Sequence, residues 1–429
     1  MSSSTNASTW GSPSGTIKFP KEVAPFTVSI SQEQLDRTQA LLKLSPIPGE
    51  CYENSLPDGS RKLGLRREWL VEAKRVWEEE FDWKSVESRI NSFPNFTAPV
   101  PVNDKGEQIN IQFLGVFSQN PNAVPVVFLH GWPGSILEFL PLFNLLKKSY
   151  PDSSQLPFHL IAPSLPGFGF SDQFPTDRNY GMEDVAFVVD SFMVGTLGLK
   201  NYVVQGGDIG SRIARVLGNR YEHCSAVLVN YSPVPPPEGF DFTTLSEKDK
   251  KGLERGDWFR NDGSAYAMMA ASRPGTLGLA LSTNPLALLA WVGEKYLDWT
   301  DPLSFAQDRT LPSGARYSRK LMEEIIASVA LYWHTGKIHT SFYSYREAFA
   351  LNGRAPPSSN AQFPVMAPKK VGMMWFPYEV IPTPRAWIEK YSNLIFWREE
   401  EVGGHFAQLE QPGVLARGLE DFVKVLQQK

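Results

Sequence analysis

The middle of the chain alternates between short apolar segments and amphipathic segments, and this alternation limits the fold more than any other feature of the sequence. The apolar segments have the length of strands, whereas the segments between them carry apolar residues at three- and four-residue spacing, as helices do. The strand segments are 109–117, 124–132, 158–165, 201–207 and 225–231, and the helical segments are 135–149, 182–198 and 210–221. Continuous apolar strands separated by helices predict a mostly parallel sheet that is covered on both faces.

The alternation stops at a proline-rich stretch, SPVPPPEG, and resumes only near the end of the chain. Residues 233–350 are mainly helical and rich in aromatic residues. Strand and helix patterns return in residues 351–429, with strand segments at 364–377 and 393–406 and a helix at 414–428. We therefore expect an α/β core, residues 106–232 and 351–429, that carries a helical lid, residues 233–350.

The region before this core divides into two parts. Residues 1–18 are rich in Ser, Thr and Gly and contain too little apolar surface to offset the entropy of ordering, which predicts a disordered tail. Residues 19–105 contain amphipathic segments with helical spacing and are expected to form an N-terminal helical extension.

Charge and composition favour a small molecule as the partner. The chain has 42 Lys and Arg against 46 Asp and Glu, and it contains no basic block of the kind that binds nucleic acid. Its first twenty residues lack the apolar run of a signal peptide or membrane anchor. Cys51 and Cys224 have neither metal-ligand spacing nor the pattern of a disulfide framework. We expect a soluble, cytoplasmic protein without a metal centre.

Residues 202–218, YVVQGGDIGSRIARVLG, run from a strand through a glycine-flanked Asp208 directly into a helix. This pattern resembles the sharp strand-to-helix turn that presents a hydrolase nucleophile, where Ser is usual. Asp208 is therefore the candidate nucleophile, and its carboxylate requires a reaction different from that of a serine hydrolase.

Among the six histidines, His405 is the best candidate for a general base. It follows the last predicted strand in a glycine-opened loop, and loops that leave the carboxyl ends of parallel strands meet at one edge of the sheet, where Asp208 also emerges. His130 is expected to shape its loop rather than to transfer protons. The remaining histidines are expected to be structural or surface residues: His159, His223, His334 and His339.

Glu379 is the favoured carboxylate to orient His405, because it is the only acid in the turn PYEVIPTP. The run of Glu399, Glu400 and Glu401 lies closer to His405 in sequence, but such a charge run is typical of a solvated face. Oxyanion donors are expected from two backbone amides. These are Ile209, which follows the nucleophile, and Trp132, in the loop HGWPG.

Four motifs together make a specific resemblance: HGWPGS, PSLPGFGFSD, QGGDIGSRIAR and GGHFAQLEQP. They look like those of the epoxide hydrolases of the α/β-hydrolase superfamily, in the microsomal-type branch and its soluble fungal relatives. The resemblance implies a mostly parallel eight-stranded sheet and the chain order Asp208, Glu379, His405 for nucleophile, acid and histidine. It also implies two lid tyrosines that hold the epoxide oxygen. The matching segments give Tyr266 for the first and Tyr345 for the second, with Tyr343 as the alternative.

The chemistry of an epoxide explains an aspartate at this turn. Attack by a serine would leave a stable ether on the enzyme, whereas attack by Asp208 leaves an ester that water can hydrolyse. The resemblance implies conversion of an epoxide and water to a vicinal diol, without a metal or an organic cofactor. A homodimer is compatible with the sequence.

Two other classes of function remain as alternatives. Haloalkane dehalogenases also alkylate an aspartate, but they usually place a Trp directly after it, where this chain has Ile209. A ligand-binding protein that has lost catalysis is the second alternative, and the full set of candidate catalytic residues argues against it. A serine hydrolase is less favoured still, because no G-x-S-x-G turn follows a strand.

Overall fold

The computed structural model describes residues 10, 20, 22–348 and 369–428. The strands are β1 Ala24–Pro25, β2 Asn95–Pro101, β3 Gln108–Val116, β4 Val124–Leu129, β5 Phe158–Pro163, β6 Tyr202–Gly206, β7 Cys224–Val229, β8 Arg309–Thr310, β9 Arg316–Tyr317, β10 Lys370–Trp375 and β11 Asn393–Glu399. The α-helices are α1 Gln32–Leu44, α2 Arg67–Glu79, α3 Trp83–Asn91, α4 Leu140–Ser149, α5 Met182–Asp190, α6 Asp208–Arg220, α7 Glu247–Trp258, α8 Ala265–Ser272, α9 Pro274–Leu281, α10 Pro285–Trp299, α11 Arg319–Thr335, α12 Tyr343–Ala348, α13 Arg385–Tyr391, α14 Ala407–Glu410 and α15 Pro412–Gln427.

Parts of four predicted regions lie outside the described residues. They are the tail apart from Trp10, residues 19 and 21 of the N-terminal extension, residues 349–350 of the lid, and residues 351–368 and 429 of the second part of the core, which include 364–368 of the predicted strand segment at 364–377. Trp10 itself is buried, and its carbonyl accepts a hydrogen bond from the Phe117 amide at 2.9 Å.

The main sheet has the strand order β1-β2-β3-β5-β4-β6-β7-β10-β11. Every pairing from β5 through β11 is parallel, and the three pairings on the β1 side are antiparallel. The predicted α/β fold with a mostly parallel sheet is confirmed. The sheet contains nine strands where eight were expected, because the two-residue β1 adds to the edge at β2.

The central strands and the helices beside them follow from their apolar patterns. All five residues of β6 are buried, as in a strand that is covered on both faces. Helix α6 buries Ile209, Ile213 and Val216 at helical spacing. A Cβ added to Gly218 of α6 would contact Val227 of β7. A Cβ added to Gly372 of β10 would contact the next residue of β7, Leu228, and also Phe422 of α15. Successive residues of a strand point to opposite faces, so α6 and α15 cover opposite faces of the sheet.

Helices α7 to α12 form a helical insertion between β7 and β10, together with the small β8–β9 ribbon. Local signals set its boundaries: Asn284 caps α10 by accepting from the Leu286 and Ala287 amides, and Gly336 ends α11 at φ 66°. Within the described part of the chain, no single helix has the length and apolar character to cross a membrane. Helices α9 and α10 would meet those two criteria only as a pair, and they are bent by 119° relative to each other.

The N-terminal helices pack against the helical insertion. Helices α1 and α2 contact α10, and α2 and α3 contact α11. Trp83 packs on the His334 ring with centroids 4.9 Å apart, and Arg61 forms an ion pair with Asp298 at 2.9 Å. The sequence analysis did not identify β2, which lies within the predicted N-terminal extension and pairs along its whole length with β3.

Candidate active site

Asp208 lies at the sharp turn between β6 and α6, with a positive φ of 43°. Such a φ is uncommon for any residue other than glycine, although Asp tolerates it better than most. The glycines around the turn permit a close approach of backbones. A Cβ on Gly206 would lie 2.6 Å from the Gly210 carbonyl, and a Cβ on Gly210 would collide with the carbonyl oxygen of Leu129 in β4. The turn therefore places the Asp208 side chain at the carboxyl end of the sheet.

His405 lies between two carboxylates. Its Nε2 is 3.0 Å from Asp208 Oδ2, and its Nδ1 is 2.5 Å from Glu379 Oε1. The Glu379 and His405 side chains are each 2% exposed. Burial by itself would lower the pKa of His405, but the charge of Glu379 and the hydrogen bond to Asp208 outweigh burial and hold this pKa well above its usual value. The geometry brings the three residues into one hydrogen-bonded chain.

The loops that carry Glu379 and His405 are joined to each other. The Tyr378 amide donates to the Gly403 carbonyl at 3.1 Å, and Arg255 of α7 donates to the carbonyl oxygens of Tyr378 and Glu379 at 3.0 and 2.8 Å. The run at Glu399 to Glu401 turns away from this site, since Glu399 and Glu401 pair with Lys248 at the surface.

Two backbone amides contact the Asp208 carboxylate. The Trp132 amide donates to Oδ1 at 2.8 Å, and the Ile209 amide also hydrogen-bonds the carboxylate. Burial would raise the pKa of Asp208, but His405 and the two amides outweigh it and hold the pKa below its usual value. Asp208 is therefore ionised at neutral pH.

Tyr266 of α8 and Tyr345 of α12 face each other across the site. Their hydroxyl oxygens are 3.4 Å apart, and the Tyr266 ring stacks on the Trp132 indole with centroids 5.3 Å apart. Tyr343 instead packs against Phe168 and Phe174. Burial is the main cause that raises the pKa of each phenol. For Tyr345 the neighbouring Tyr266 is the next cause, and the negative charge of Asp208 raises both pKa values further, so both hydroxyls stay protonated. The geometry pairs Tyr266 with Tyr345 rather than with Tyr343.

A cavity of about 570 Å³ opens above Asp208. Asp208, His405, Tyr266 and Tyr345 are among the residues that line it. Much of the remaining wall is apolar and comes from the loop after β7, the helical insertion and the turn after β10, including Pro235, Phe242, Leu253, Ile381 and Trp387. Its volume and lining suit a mainly apolar small molecule.

Comparison with known proteins identifies the family. The family model described as epoxide hydrolase N terminus matches residues 23–139, and the model described as alpha/beta hydrolase fold matches residues 124–253. The Aspergillus niger epoxide hydrolase, whose structure is known, is 40% identical in sequence to this chain. The match covers 95% of this chain and 98% of the Aspergillus chain, and the two structures superimpose with a TM-score of 0.81. This chain belongs to the epoxide hydrolase family.

Three other relatives of this epoxide hydrolase support the same family. A Dothistroma septosporum protein, provisionally named as an epoxide hydrolase, is 40% identical over 94% of this chain and 90% of its own. Rabbit (Oryctolagus cuniculus) epoxide hydrolase 1 is 27% identical over 98% of this chain and 93% of its own. The juvenile hormone epoxide hydrolase of the silkworm Bombyx mori is 25% identical, covers 97% of each chain and has a TM-score of 0.77.

Sequence reasoning missed two polar residues in the large cavity of this epoxide hydrolase. Arg212, one turn beyond Asp208 on α6, hydrogen-bonds the phenol of Tyr231, and both side chains line the cavity. The spacing of Arg212 from Asp208 could have indicated it, since residues four apart share a helix face. Tyr231 follows β7, and only the strand order brings it beside β6.

A second, much smaller cavity lies beside Asp208 and His405. Its other lining side chains include Glu138 and Gln408, which the sequence analysis did not single out. His130 also contacts it, and this ring shapes its loop as predicted: Nε2 accepts from the Leu165 amide at 3.1 Å, and Nδ1 lies 3.0 Å from the Gly131 carbonyl oxygen. Within the described residues, no group of three or more His, Cys, Asp or Glu side chains could hold a metal ion.

Proposed function

We propose that this epoxide hydrolase opens its substrate through a covalent ester on Asp208 and then hydrolyses that ester to a vicinal diol. The observation that supports this route most directly is the chain Glu379–His405–Asp208, which ends in the cavity where Tyr266 and Tyr345 approach each other. In this proposal the helical insertion acts as a lid, because it supplies both tyrosines.

The first step is attack by Asp208 on an epoxide carbon. Asp208 Oδ2 forms the new C–O bond, the C–O bond of the ring breaks, and its electron pair goes to the epoxide oxygen. That oxygen receives hydrogen bonds from Tyr266 and Tyr345 and takes up a proton through them. The protonated state of both phenols suits this task.

The second step is hydrolysis of the ester by a water molecule that His405 deprotonates. Glu379 orients the imidazole and stabilises its positive charge. The Trp132 amide already contacts Asp208 Oδ1, so with the Ile209 amide it can stabilise the oxyanion as it forms. Collapse of this intermediate breaks the C–O bond to the diol, whose oxygen takes the proton from His405. The Asp208 carboxyl group then loses the remaining proton of the water, which balances the proton taken up in the first step and restores the carboxylate.

Substitution of His405 by Gln separates the two steps. We expect His405→Gln to form the ester but to lose at least about 10²-fold in ester hydrolysis, the scale typical of a missing general base. The test is a single-turnover reaction with styrene oxide, in which intact-protein mass follows the adduct and chromatography follows the diol.

Two controls complete this experiment. Asp208→Ala should form no adduct, and His223→Gln, which lines neither cavity, should react as the wild type does. Diol formation by His405→Gln at the wild-type rate would rule out the proposed role of His405. Release of halide from a haloalkane at a rate comparable with diol formation would favour a dehalogenase instead.

A further inference from the structure

The small cavity is separated from the large one by the catalytic pair itself. Of the residues that the structure describes, only Asp208 and His405 line both cavities. The large cavity lies towards the helical insertion, whereas the small one is bounded by core loops that carry Trp132, Gly207 and Phe406. A substrate bound in the large cavity and a molecule in the small one would therefore contact Asp208 from different sides.

The size of the small cavity matches one water molecule. Its volume is about 10 Å³, close to the smallest space that holds a water, and a bound water needs two to four polar partners. His405, Asp208, Glu138 and Gln408 all contribute polar side chains to its wall. An organic substrate would not fit there.

Gln408 provides the strongest sign of a ligand in this cavity. Its side chain is 2% exposed, and its amide oxygen Oε1 has no hydrogen-bond partner among the described residues. A buried amide oxygen without a partner is costly, so such an oxygen on a residue that lines a water-sized cavity is expected to bind water. Glu138 also lines this cavity; it is buried, and its Oε1 accepts from the Ser135 amide at 3.2 Å.

We propose that the small cavity binds the hydrolytic water and that Gln408 is a positioning residue for it. This inference rests on the ester route proposed above. One O–H of the water donates to Gln408 Oε1 and the other to His405 Nε2. The water oxygen forms a bond to the ester carbonyl carbon of Asp208 while its proton passes to His405. The C–O bond to the diol then breaks, and the diol oxygen takes the proton from His405. The second proton of the water leaves the Asp208 carboxyl group, which restores the carboxylate and replaces the proton that the epoxide oxygen took up during ester formation.

This arrangement lets ester hydrolysis proceed while the diol portion still occupies the large cavity. The water is already held beside Asp208 when the substrate occupies the large cavity, because the two molecules bind in different cavities. The position of Gln408 in α14, three residues after His405, ties the water site to the same loop as the base.

Substitution of Gln408 by Met tests the proposal, since Met keeps the chain length and removes the amide. In single-turnover reactions with styrene oxide, we expect ester formation within twofold of the wild type and ester hydrolysis slower by about tenfold, the scale of one lost hydrogen bond. Gln408→Leu should show the same selective loss, and it serves if the Met variant does not fold. The matched control is Gln411→Met, because Gln411 lies in the next turn and lines neither cavity.

The outcomes separate this inference from the ester route. Unchanged hydrolysis in both Gln408 variants, or equal slowing of both steps, would overturn the water site, while ester accumulation in His405→Gln would still support the route. Diol production without any adduct, in the wild type and in His405→Gln, would overturn the route itself.

Discussion

Asp208 and His405 form a charged pair in the free enzyme, and the proposed reaction changes that pair. Before the reaction, His405 faces the carboxylates of both Asp208 and Glu379, which hold its pKa above the usual value. Ester formation removes the charge of Asp208, while that of Glu379 remains. The pKa of His405 must therefore fall when the ester forms, and this fall favours the neutral imidazole that the second step needs.

This coupling predicts the pH dependence of ester hydrolysis. The rate should rise with pH and level off once His405 is neutral in the ester, at a pH below the pKa of His405 in the free enzyme. Single-turnover hydrolysis across a pH series gives the first value, and an NMR titration of His405 in the free enzyme gives the second. Equal values, or a rate that falls as pH rises through this range, would contradict the coupling.

The turn between β6 and α6 depends on close contact with β4. Gly210 lies in the first turn of α6, directly against the Leu129 carbonyl at the end of β4. A backbone carbonyl cannot move aside as a flexible side chain can. The spacing of glycines around Asp208 thus fixes how near the helix approaches the sheet, and so where the carboxylate lies.

Gly210→Ala should therefore destabilise the protein. We expect it to lower the free energy of unfolding by about 2–3 kcal/mol, the upper part of the range for overpacking, and to reduce activity by moving Asp208. Gly275→Ala in α9 is the matched control, because a Cβ there would contact nothing within 4 Å, and its effect should be neutral or stabilising by up to about 1 kcal/mol. Urea denaturation measures the free energy of unfolding of both variants. Equal effects of the two substitutions would show that the contact with β4 does not matter.

At the scale of the whole molecule, the N-terminal helices support the outer side of the helical insertion. Trp69 of α2 is 4% exposed and packs against the backbone of α10 at Gly293. On the other side, α11 reaches the core: Tyr332 donates to the Gly134 carbonyl at 3.0 Å, next to the loop that carries Trp132. One buried apolar cluster includes residues from all three regions. We infer that they unfold together.

Trp69→Ala tests this cooperation. We expect a loss of about 3–5 kcal/mol in the free energy of unfolding, within a single urea transition that also includes the core. Val71→Ala on the exposed side of the same helix should change stability by less than about 0.5 kcal/mol. A separate early transition in Trp69→Ala, with the core transition unmoved, would contradict cooperative unfolding.

The candidate catalytic motifs could be predicted from sequence because each depends on local chemistry. A strand, two glycines, Asp208 and a helix follow one another directly, and the rule that loops meet at the carboxyl ends of parallel strands then brings His405 and Glu379 to the same edge. The strand β2 was missed because its pairing with β3 depends on residues beyond its own segment. Tyr343 and Tyr345 could not be distinguished with certainty from sequence, since they lie two residues apart in one short segment.

The sequence by itself therefore determined the α/β class and the candidate nucleophile, base and acid, since apolar periodicity and turn chemistry are properties of short segments. Only the tertiary structure decided which tyrosine faces Tyr266 and that Arg212 and Tyr231 share the large cavity. It alone placed Gln408 beside Asp208 and His405 in a space the size of one water. These features depend on which side chains meet across separate elements, and packing between distant segments sets those contacts.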